Sequence, residues 1–260
     1  MAGKYLPALV MLACMAGTLW WRSMIWSADG TLTAPAITGD VLVITTTSGQ
    51  RILIDTSNDA PTLLEFLGTQ STLWQTQSAD VVILTQRGAA WQGALASLVD
   101  HGLRTIIVLP AARLGASDAC QVPHVQCYQQ DVGSQWYHDN VRFHVVAANM
   151  LWVIWPHGSL LVAHGATSQQ LNEIAPTLQC PQTPCLLSYA WQITPPWQVH
   201  TVVHPAGVLY SSGQTQQPAA RLSMAQRRPY HESVWHEQLH GTITVTLQHP
   251  THIRVNEVWP

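Results

Sequence analysis

The segment from His236 to His240 has the residue types and the spacing of a metal-dependent hydrolytic site. It reads His-Glu-Gln-Leu-His. On a helix, histidines at positions i and i+4 lie on one face, where both imidazoles can bind zinc while the glutamate acts as a general base. The hypothesis of a zinc peptidase that uses His236, Glu237 and His240 therefore requires a helix here.

The residues around this motif favour strands instead. Val234 and Trp235 precede it, and a β-branched run begins directly after Gly241, which predicts a strand, a turn and a strand with His240 at the turn. Glu257 is the only later carboxylate side chain that could supply a third ligand. Because the chain contains 13 histidines, a chance match to the motif is credible, and the peptidase remains the alternative hypothesis.

Outside the N-terminal segment, four cysteines lie in two close pairs. Cys120 and Cys127 form one pair, and Cys180 and Cys185 form the other. Neither spacing is typical of a zinc knuckle, whereas an even number of cysteines in a chain that looks exported favours two local disulfides. Three pairings are possible, and buried free thiols are the alternative.

The composition limits what the surface can bind. The chain has 260 residues and a net charge of −3, and only 10% of its residues are charged although 47% are hydrophobic. Arginines are scattered, and Arg227-Arg228 beside Tyr230 is the only local basic cluster, so we expect weak or no direct binding of nucleic acid. The 12 tryptophans leave a carbohydrate- or peptide-binding module as a third hypothesis, although Trp91, Trp152 and Trp155 lie in segments that look buried.

The N-terminal segment resembles a membrane anchor. No charged residue occurs from Tyr5 to Trp21, and Trp20, Trp21 and Trp26 suit the membrane interface. We predict one transmembrane helix within residues 1–26, a linker at 27–33 and a domain at 34–260. A cleaved signal peptide is the alternative, and the few charges at the ends of the segment do not determine its orientation.

The rest of the chain alternates between strands and helices. A hairpin is predicted at Val41–Thr47 and Arg51–Asp55, and a strand, a helix and a strand follow it. We predict a loop at Gly115–Gln135 and a strand at Val199–His204. The remaining predicted elements are strands at Val81–Leu84, Thr105–Leu109, Val141–Ala147, Leu151–Trp155, Ser159–Ala163, Leu186–Tyr189, Gly241–Gln248 and His252–Val258, and helices at Ala60–Leu67, Trp91–Leu103, Ser168–Ala175 and Pro218–Arg227.

The order of these segments resembles the metallo-β-lactamase fold, and within it the C-terminal domain of ComEC-type DNA-uptake channels. Four segments carry the resemblance: Gly39–Val43 followed by Ser48–Thr56, the strand end at Leu84-Thr85, the strand at Ser159–Ala166, and the closing strand at His240–Thr246. The resemblance implies an αββα four-layer sandwich. It also implies that Asp55 orients the loop that normally binds metal, although bonding of its carboxylate to a helix start or to loop amides is the simpler interpretation.

The metal-ligand motif of that family is missing. Members that bind metal carry histidines and an aspartate after the strand-end threonine, and these converge on zinc or manganese. Here Gln86, Gly88, Ala90 and Trp91 occupy those positions, and Gly165 occupies that of the bridging aspartate. His164, beside it, is a candidate relic ligand, but a hydrogen-bonded structural role is the simpler interpretation.

We therefore expect no metal, no other cofactor and no catalytic residue. The N-terminal segment and the cysteine pairs predict a membrane-anchored, single-pass protein with an extracytoplasmic domain, and the resemblance implies what it does. Its expected role is scaffolding or binding at a polytopic DNA-uptake channel. A surviving metallo-hydrolase, either a nuclease of the family or the zinc peptidase, is the alternative.

Overall fold

A computed structural model describes residues 30–70, 78–87, 91–116, 119–121, 123–212, 233–249 and 252–258. The predicted membrane anchor and the predicted helix at Pro218–Arg227 lie outside these residues. Among the described helices, none is both long enough and apolar enough to cross a bilayer.

The first sheet has eight strands in the order β15-β14-β1-β2-β3-β4-β5-β6. Its β3 to β6 run parallel, and the other neighbours are antiparallel. The strands are β1 Thr31–Ala34, β2 Leu42–Thr45, β3 Arg51–Ile54, β4 Val81–Leu84, β5 Thr105–Val108, β6 Gln126–Gln129, β14 Thr242–His249 and β15 His252–Val258.

The second sheet has seven strands in the order β13-β12-β11-β10-β9-β8-β7. Here β10 to β13 run parallel, and β7 to β10 are antiparallel. The strands are β7 Gln135–His138, β8 Val141–Ala147, β9 Met150–Trp155, β10 Gly158–Val162, β11 Cys185–Ala190, β12 Gly207–Ser211 and β13 Ser233–His236.

Helices cover the outer face of each sheet. Apart from short 3₁₀ turns, the described helices are α1 Ala60–Thr69, α2 Trp91–Asp100, α3 Arg113–Ala116, α4 Ser168–Ile174, α5 Trp197–Val203 and α6 Glu237–His240. Asp59 caps α1 by accepting a hydrogen bond from the backbone nitrogen of Thr62, and Thr167 and Gln170 form a capping box on α4.

Three apolar clusters show the layers. One lies between the sheets and contains side chains such as Leu32 and Ile52 of the first sheet and Phe143 and Leu160 of the second. A second cluster joins the first sheet to α1 and α2, and a third joins the second sheet to α4 and α5. The predicted αββα sandwich is confirmed, because each sheet buries one face against the other sheet and one against helices.

Two predicted elements differ from the structure in type. The predicted strand at Val199–His204 is the helix α5, and its buried residues Val199, His200 and Val203 have helical spacing after Pro196. The strand of this part of the sheet is β12 instead. The predicted loop at Gly115–Gln135 contains β6, whose mostly exposed side chains lack an apolar pattern.

The first sheet also begins earlier in the chain than predicted. Strand β1 starts at Thr31, inside the range predicted as linker, and pairs with both β2 and β14. Residues 31–33 therefore belong to the folded domain, and their alternation of threonine with leucine is typical of a strand with one polar face.

Candidate functional site

The candidate site lies where the parallel strands of both sheets end. The loops after β4, β10, β11 and β12 meet there, and they carry Gln86, Gly165, Trp191 and Ser212 respectively. In open α/β sheets, ligand sites form outside the carboxyl ends of parallel strands. The fold therefore brings two of the positions predicted as vacated metal ligands, Gln86 and Gly165, to one place.

Gln86 occupies the space next to Gly165. A Cβ atom added to Gly165 would lie 2.6 Å from Cβ of Gln86 and 3.2 Å from its Oε1, and real Cβ atoms essentially never approach that closely. The carbonyl oxygen of Gly165 accepts a hydrogen bond from Nδ2 of Asn149. A side chain at position 165, such as the aspartate that the sequence resemblance led us to expect, has no room while Gln86 holds this position.

Asp40 links Gln86 to the second sheet. Nε2 of Gln86 donates to Oδ2 of Asp40 at 2.8 Å, and the Ser211 hydroxyl donates to Oδ1 of the same carboxylate. Asp40 is buried. Both of its oxygens accept hydrogen bonds inside the chain, so Asp40 bonds the loop after β4 to the end of β12.

Glu237 is a buried carboxyl group next to this connection. Its Oε1 accepts hydrogen bonds from the backbone nitrogen of Ser212, at 2.6 Å, and from the Ser212 hydroxyl. Burial raises the pKa of Glu237 well above its usual value, and the charge of Asp40 raises it further, whereas the bonds from Ser212 oppose the shift. The raised pKa extends the pH range in which Glu237 is protonated.

The geometry does not form the zinc site of a peptidase. His236 ends strand β13, and only Glu237 to His240 form a helical turn, so the two histidines do not lie on one face of one helix. Nδ1 of His240 lies 3.0 Å from both the backbone nitrogen and the backbone oxygen of His236. The His236 ring packs edge-on against Trp191, with ring centroids 4.5 Å apart.

A second buried network contains Asp55 and His164. Oδ1 of Asp55 accepts from the backbone nitrogen of Thr85 at 2.8 Å, and Oδ2 accepts from the Thr85 hydroxyl at 2.6 Å. Nδ1 of His164 lies 3.2 Å from Oδ2 of Asp55, and its Nε2 lies 2.8 Å from Oγ of Ser188. Asp55 thus bonds a loop amide, as one of the sequence interpretations predicted, while Asp59 rather than Asp55 caps the helix.

Ser188, His164 and Asp55 have the order of a catalytic triad but not its accessibility. Their exposed fractions are 1%, 3% and 2%, and Ser188 lies in the middle of a strand that pairs on both sides. A nucleophile must reach its substrate, so this geometry indicates a structural connection between the sheets. It also means that both ring nitrogens of His164, the candidate relic ligand, are within hydrogen-bonding distance of other side chains.

The other predicted positions give less information. Gly88 and Ala90 lie outside the described residues, as does the side chain of Trp91, whose backbone begins helix α2. Of the cysteines, Cys120 bonds to Cys127 and Cys180 bonds to Cys185, which is one of the three pairings that the sequence allows.

The side chains at this site do not fit the metal centre of the fold that the sequence resembles. Within the described part of the chain, no three His, Cys, Asp or Glu side chains lie close enough together to hold a metal ion. The two nearest aspartates, Asp40 and Asp55, accept hydrogen bonds on both oxygens. Gln86, Ser211 and Ser212 offer an amide and hydroxyls, which are weak metal ligands, Gly165 has no side chain, and both ring nitrogens of His164 lie within hydrogen-bonding distance of Asp55 and Ser188.

Sequence reasoning does not predict that Ser188, Ser211 and Ser212 belong to the site. Nothing in the sequence marks these three serines before the topology places Ser188 beside His164, Ser211 beside Asp40 and Ser212 beside Glu237. Asp40 did have a signal, because it follows a glycine directly before the first hairpin in the segment that carries the resemblance.

We predict that replacing Glu237 with glutamine makes the stability of the protein less dependent on pH. The pKa of Glu237 is raised in the folded protein, so its contribution to stability is complete below the unfolded pKa and falls as the pH rises through the folded pKa. Glutamine imitates the protonated form and does not ionise. Urea unfolding from pH 4.5 to 8 should show a wild-type decline of at most about 1.4 kcal/mol per pH unit that the variant lacks.

The matched control is Glu65→Gln, which makes the same chemical change on an exposed position of α1. Its stability should follow the wild-type pH profile. Parallel profiles for Glu237→Gln and the wild type would show that Glu237 does not titrate as the structure implies.

Solved structures of the same architecture are similar to this chain, although their sequences are not. The metallo-β-lactamase fold protein YhfI from Bacillus subtilis has a TM-score of 0.60 and 8% identity over 80% of this chain and 96% of that one. Zinc-bound PqqB from Methylobacterium extorquens has a TM-score of 0.56 and 10% identity over 83% of this chain and 99% of that one. The CmlA β-hydroxylase has a TM-score of 0.57 and 8% identity over 84% of this chain, which spans 54% of that protein.

The similarity concerns the fold alone, because every identity is low. No protein-family model matches the sequence, and no curated protein matches it. The chain therefore has the metallo-β-lactamase fold, with hydrogen-bonded amide, hydroxyl and carboxyl groups at the strand ends where the fold ordinarily carries its metal ligands.

Proposed function

We propose that this protein is a non-catalytic member of the metallo-β-lactamase fold that acts by binding or scaffolding. One observation carries the proposal: the side chain of Gln86 fills the space beside Gly165 and donates to Asp40. At two positions where the resemblance implies metal ligands, the chain therefore has an amide and a glycine, and the amide bonds to a buried carboxylate. Hydrolysis by the chemistry of the fold needs a metal-activated water, and the described residues offer no ligand set for that metal.

The alternative is a metallo-hydrolase, either a nuclease of the fold or a zinc peptidase. The peptidase would need Glu237 as a general base that faces a metal-bound water. Instead, Oε1 of Glu237 accepts two hydrogen bonds from Ser212, and its raised pKa favours the protonated form, which cannot act as a base. These contacts favour the non-catalytic role.

Purified full-length protein, in mild detergent, should retain no stoichiometric zinc or manganese after dialysis. Adding either metal should leave its Tm unchanged, because only an ion that binds the folded state raises Tm. Elemental analysis and thermal unfolding measure both quantities, with zinc-bound PqqB treated in parallel as a positive control. One or two firmly bound metal ions per chain would refute the proposal.

We also propose that the protein is anchored in a membrane and works with a DNA-uptake channel. The uncharged segment Tyr5–Trp21 and the resemblance of its strand motifs to ComEC-type domains support this role. The bonds Cys120–Cys127 and Cys180–Cys185 support an oxidising, extracytoplasmic location for the domain. Deleting the gene should lower DNA uptake, and the wild-type gene should restore it. Unchanged uptake in the deletion strain would refute the role.

A further inference from the structure

A cavity of about 560 Å³ lies on the outer face of the second sheet, away from the site described above. His144 of β8 and Trp152 of β9, which pair across the sheet, lie on one side of it. The segment from Ile174 to Pro181 forms one wall, and the turn at Val132 and Gly133 forms the other. Its volume lies within the range of small-molecule sites, which is roughly 300 to 1,000 Å³.

Covalent and polar bonds hold both walls in place. The disulfide Cys180–Cys185 ties the first wall to strand β11, and the Ser159 hydroxyl donates to the backbone oxygen of Gln182 at 2.6 Å. In the opposite wall, the backbone nitrogen of Gly133 donates to the oxygen of Val145 at 2.8 Å. The ion pair between Arg113 and Asp131 secures the same turn. A cavity with fixed walls needs little ordering when a ligand enters, which favours binding.

The lining contains uncharged hydrogen-bonding groups among aliphatic ones. No Asp, Glu, Lys or Arg is among the residues that line it. Burial lowers the pKa of His144, and the charge of Arg142 lowers it further, so its ring is neutral at neutral pH and can both donate and accept. The side chains of His144 and Gln179 make no hydrogen bond to any other part of the chain that the structure describes.

The lining also argues against two other ligand classes. Phosphates, whether in nucleic acid or in metabolites, require cationic groups, and none lines the cavity. A peptide that adds as a strand requires free backbone groups, but β8 is already paired with β7 on one side and with β9 on the other. The polar and aliphatic groups of the lining fit a small, uncharged ligand that has both hydroxyl groups and apolar C–H faces.

We propose that this cavity binds an uncharged saccharide. Hydroxyl groups of the sugar bond to His144, Gln179 and Thr177, and its C–H faces pack against Ile174 and the neighbouring aliphatic side chains. This site is independent of the proposed loss of metal binding, so either proposal can fail alone.

Calorimetric titration of the full-length protein tests the proposal. The probes are the uncharged disaccharides maltose, cellobiose and diacetylchitobiose, with glucose 6-phosphate and trialanine as comparison ligands. At least one disaccharide should bind with a Kd of about 1 mM or tighter, whereas the comparison ligands should not bind. Failure of all three disaccharides, or equal binding of the phosphate or the peptide, would overturn the proposal.

Two variants place the binding in this cavity. His144→Ala should raise the Kd at least about tenfold, since it removes a hydrogen-bonding group from the lining. Ile174→Trp should block binding by filling the cavity. His101→Ala, an exposed histidine that follows α2 on the other sheet, is the matched control and should bind like the wild type. Unchanged affinity in both cavity variants, with their Tm preserved, would refute the assigned location.

Discussion

Replacing Asp55 with alanine should destabilise the protein by about 3 to 5 kcal/mol, a large share of the stability of a typical domain. The change leaves the backbone nitrogen and the hydroxyl of Thr85 and the ring of His164 without their buried acceptor. Asp55 also has a φ of 56°, a left-handed conformation that alanine tolerates less well than aspartate or asparagine. Urea unfolding at pH 7 measures the loss.

Asparagine at position 55 separates the hydrogen bonds from the backbone effect. Its side chain can keep one oxygen as an acceptor and it tolerates the left-handed conformation, so we expect Asp55→Asn to cost about 1 to 2 kcal/mol. This variant also remains measurable if the alanine variant fails to fold. The exposed Asp100→Ala is the control and should change stability by less than about 0.5 kcal/mol. An alanine variant as stable as this control would contradict the network.

The fold was predictable because apolar periodicity carries most of it. Runs such as Val81–Leu84 and Thr105–Val108 are apolar along most or all of their length, as strands covered on both faces must be. The same reasoning gave a wrong prediction for Trp197–Val203, which is a helix and not part of a strand. Its valines, threonine and histidine favour a strand locally, but the pairing of Gly207–Ser211 with β11 leaves them outside the sheet. Tertiary pairing, which propensity does not contain, decided this element.

For the candidate site, the sequence predicted only which positions lack the metal ligands of the family that it resembles. The sequence shows that Gln86 and Gly165 are not metal ligands, but not that the two positions touch. In the sequence, Glu237 is marked only as part of a zinc motif, whereas in the structure its Oε1 accepts a hydrogen bond from the backbone nitrogen of Ser212. Contacts across the two sheets depend on how loops from distant parts of the chain converge, and no local pattern in the sequence records that.

The two networks have different roles in this architecture. The bonds of Asp55 with Thr85 and His164 connect the ends of β4 and β10. Those of Asp40 with Gln86 and Ser211 connect the loop after β4 to β12. Together these hydrogen bonds between neutral and buried acidic groups hold loops from both sheets together.

The contact between Gln86 and Gly165 gives the last prediction, that adding a side chain at position 165 destabilises the protein while Gln86 is present. Gly165→Ala should cost about 1 to 3 kcal/mol, because its Cβ would overlap with Cβ of Gln86. Gly165→Asp should cost more, since it also places a carboxylate near the buried Asp40. The free energy of unfolding of both variants, measured in urea, gives the two costs.

Second-site variants at position 86 locate the overlap. The close contact is with Cβ of Gln86, so Gln86→Gly should remove most of the cost of Gly165→Ala, whereas Gln86→Ala keeps that atom and should remove little of it. The double-mutant cycle isolates this coupling from the hydrogen bond to Asp40, which both position-86 variants lose equally. Equal rescue by alanine and glycine would show that the amide group, rather than the position of the backbone, closes the site. If only Gln86→Gly restores the stability lost in Gly165→Ala, then the backbone after β4 lies too close to position 165 for an aspartate there. A metal centre could then not be rebuilt without moving that loop.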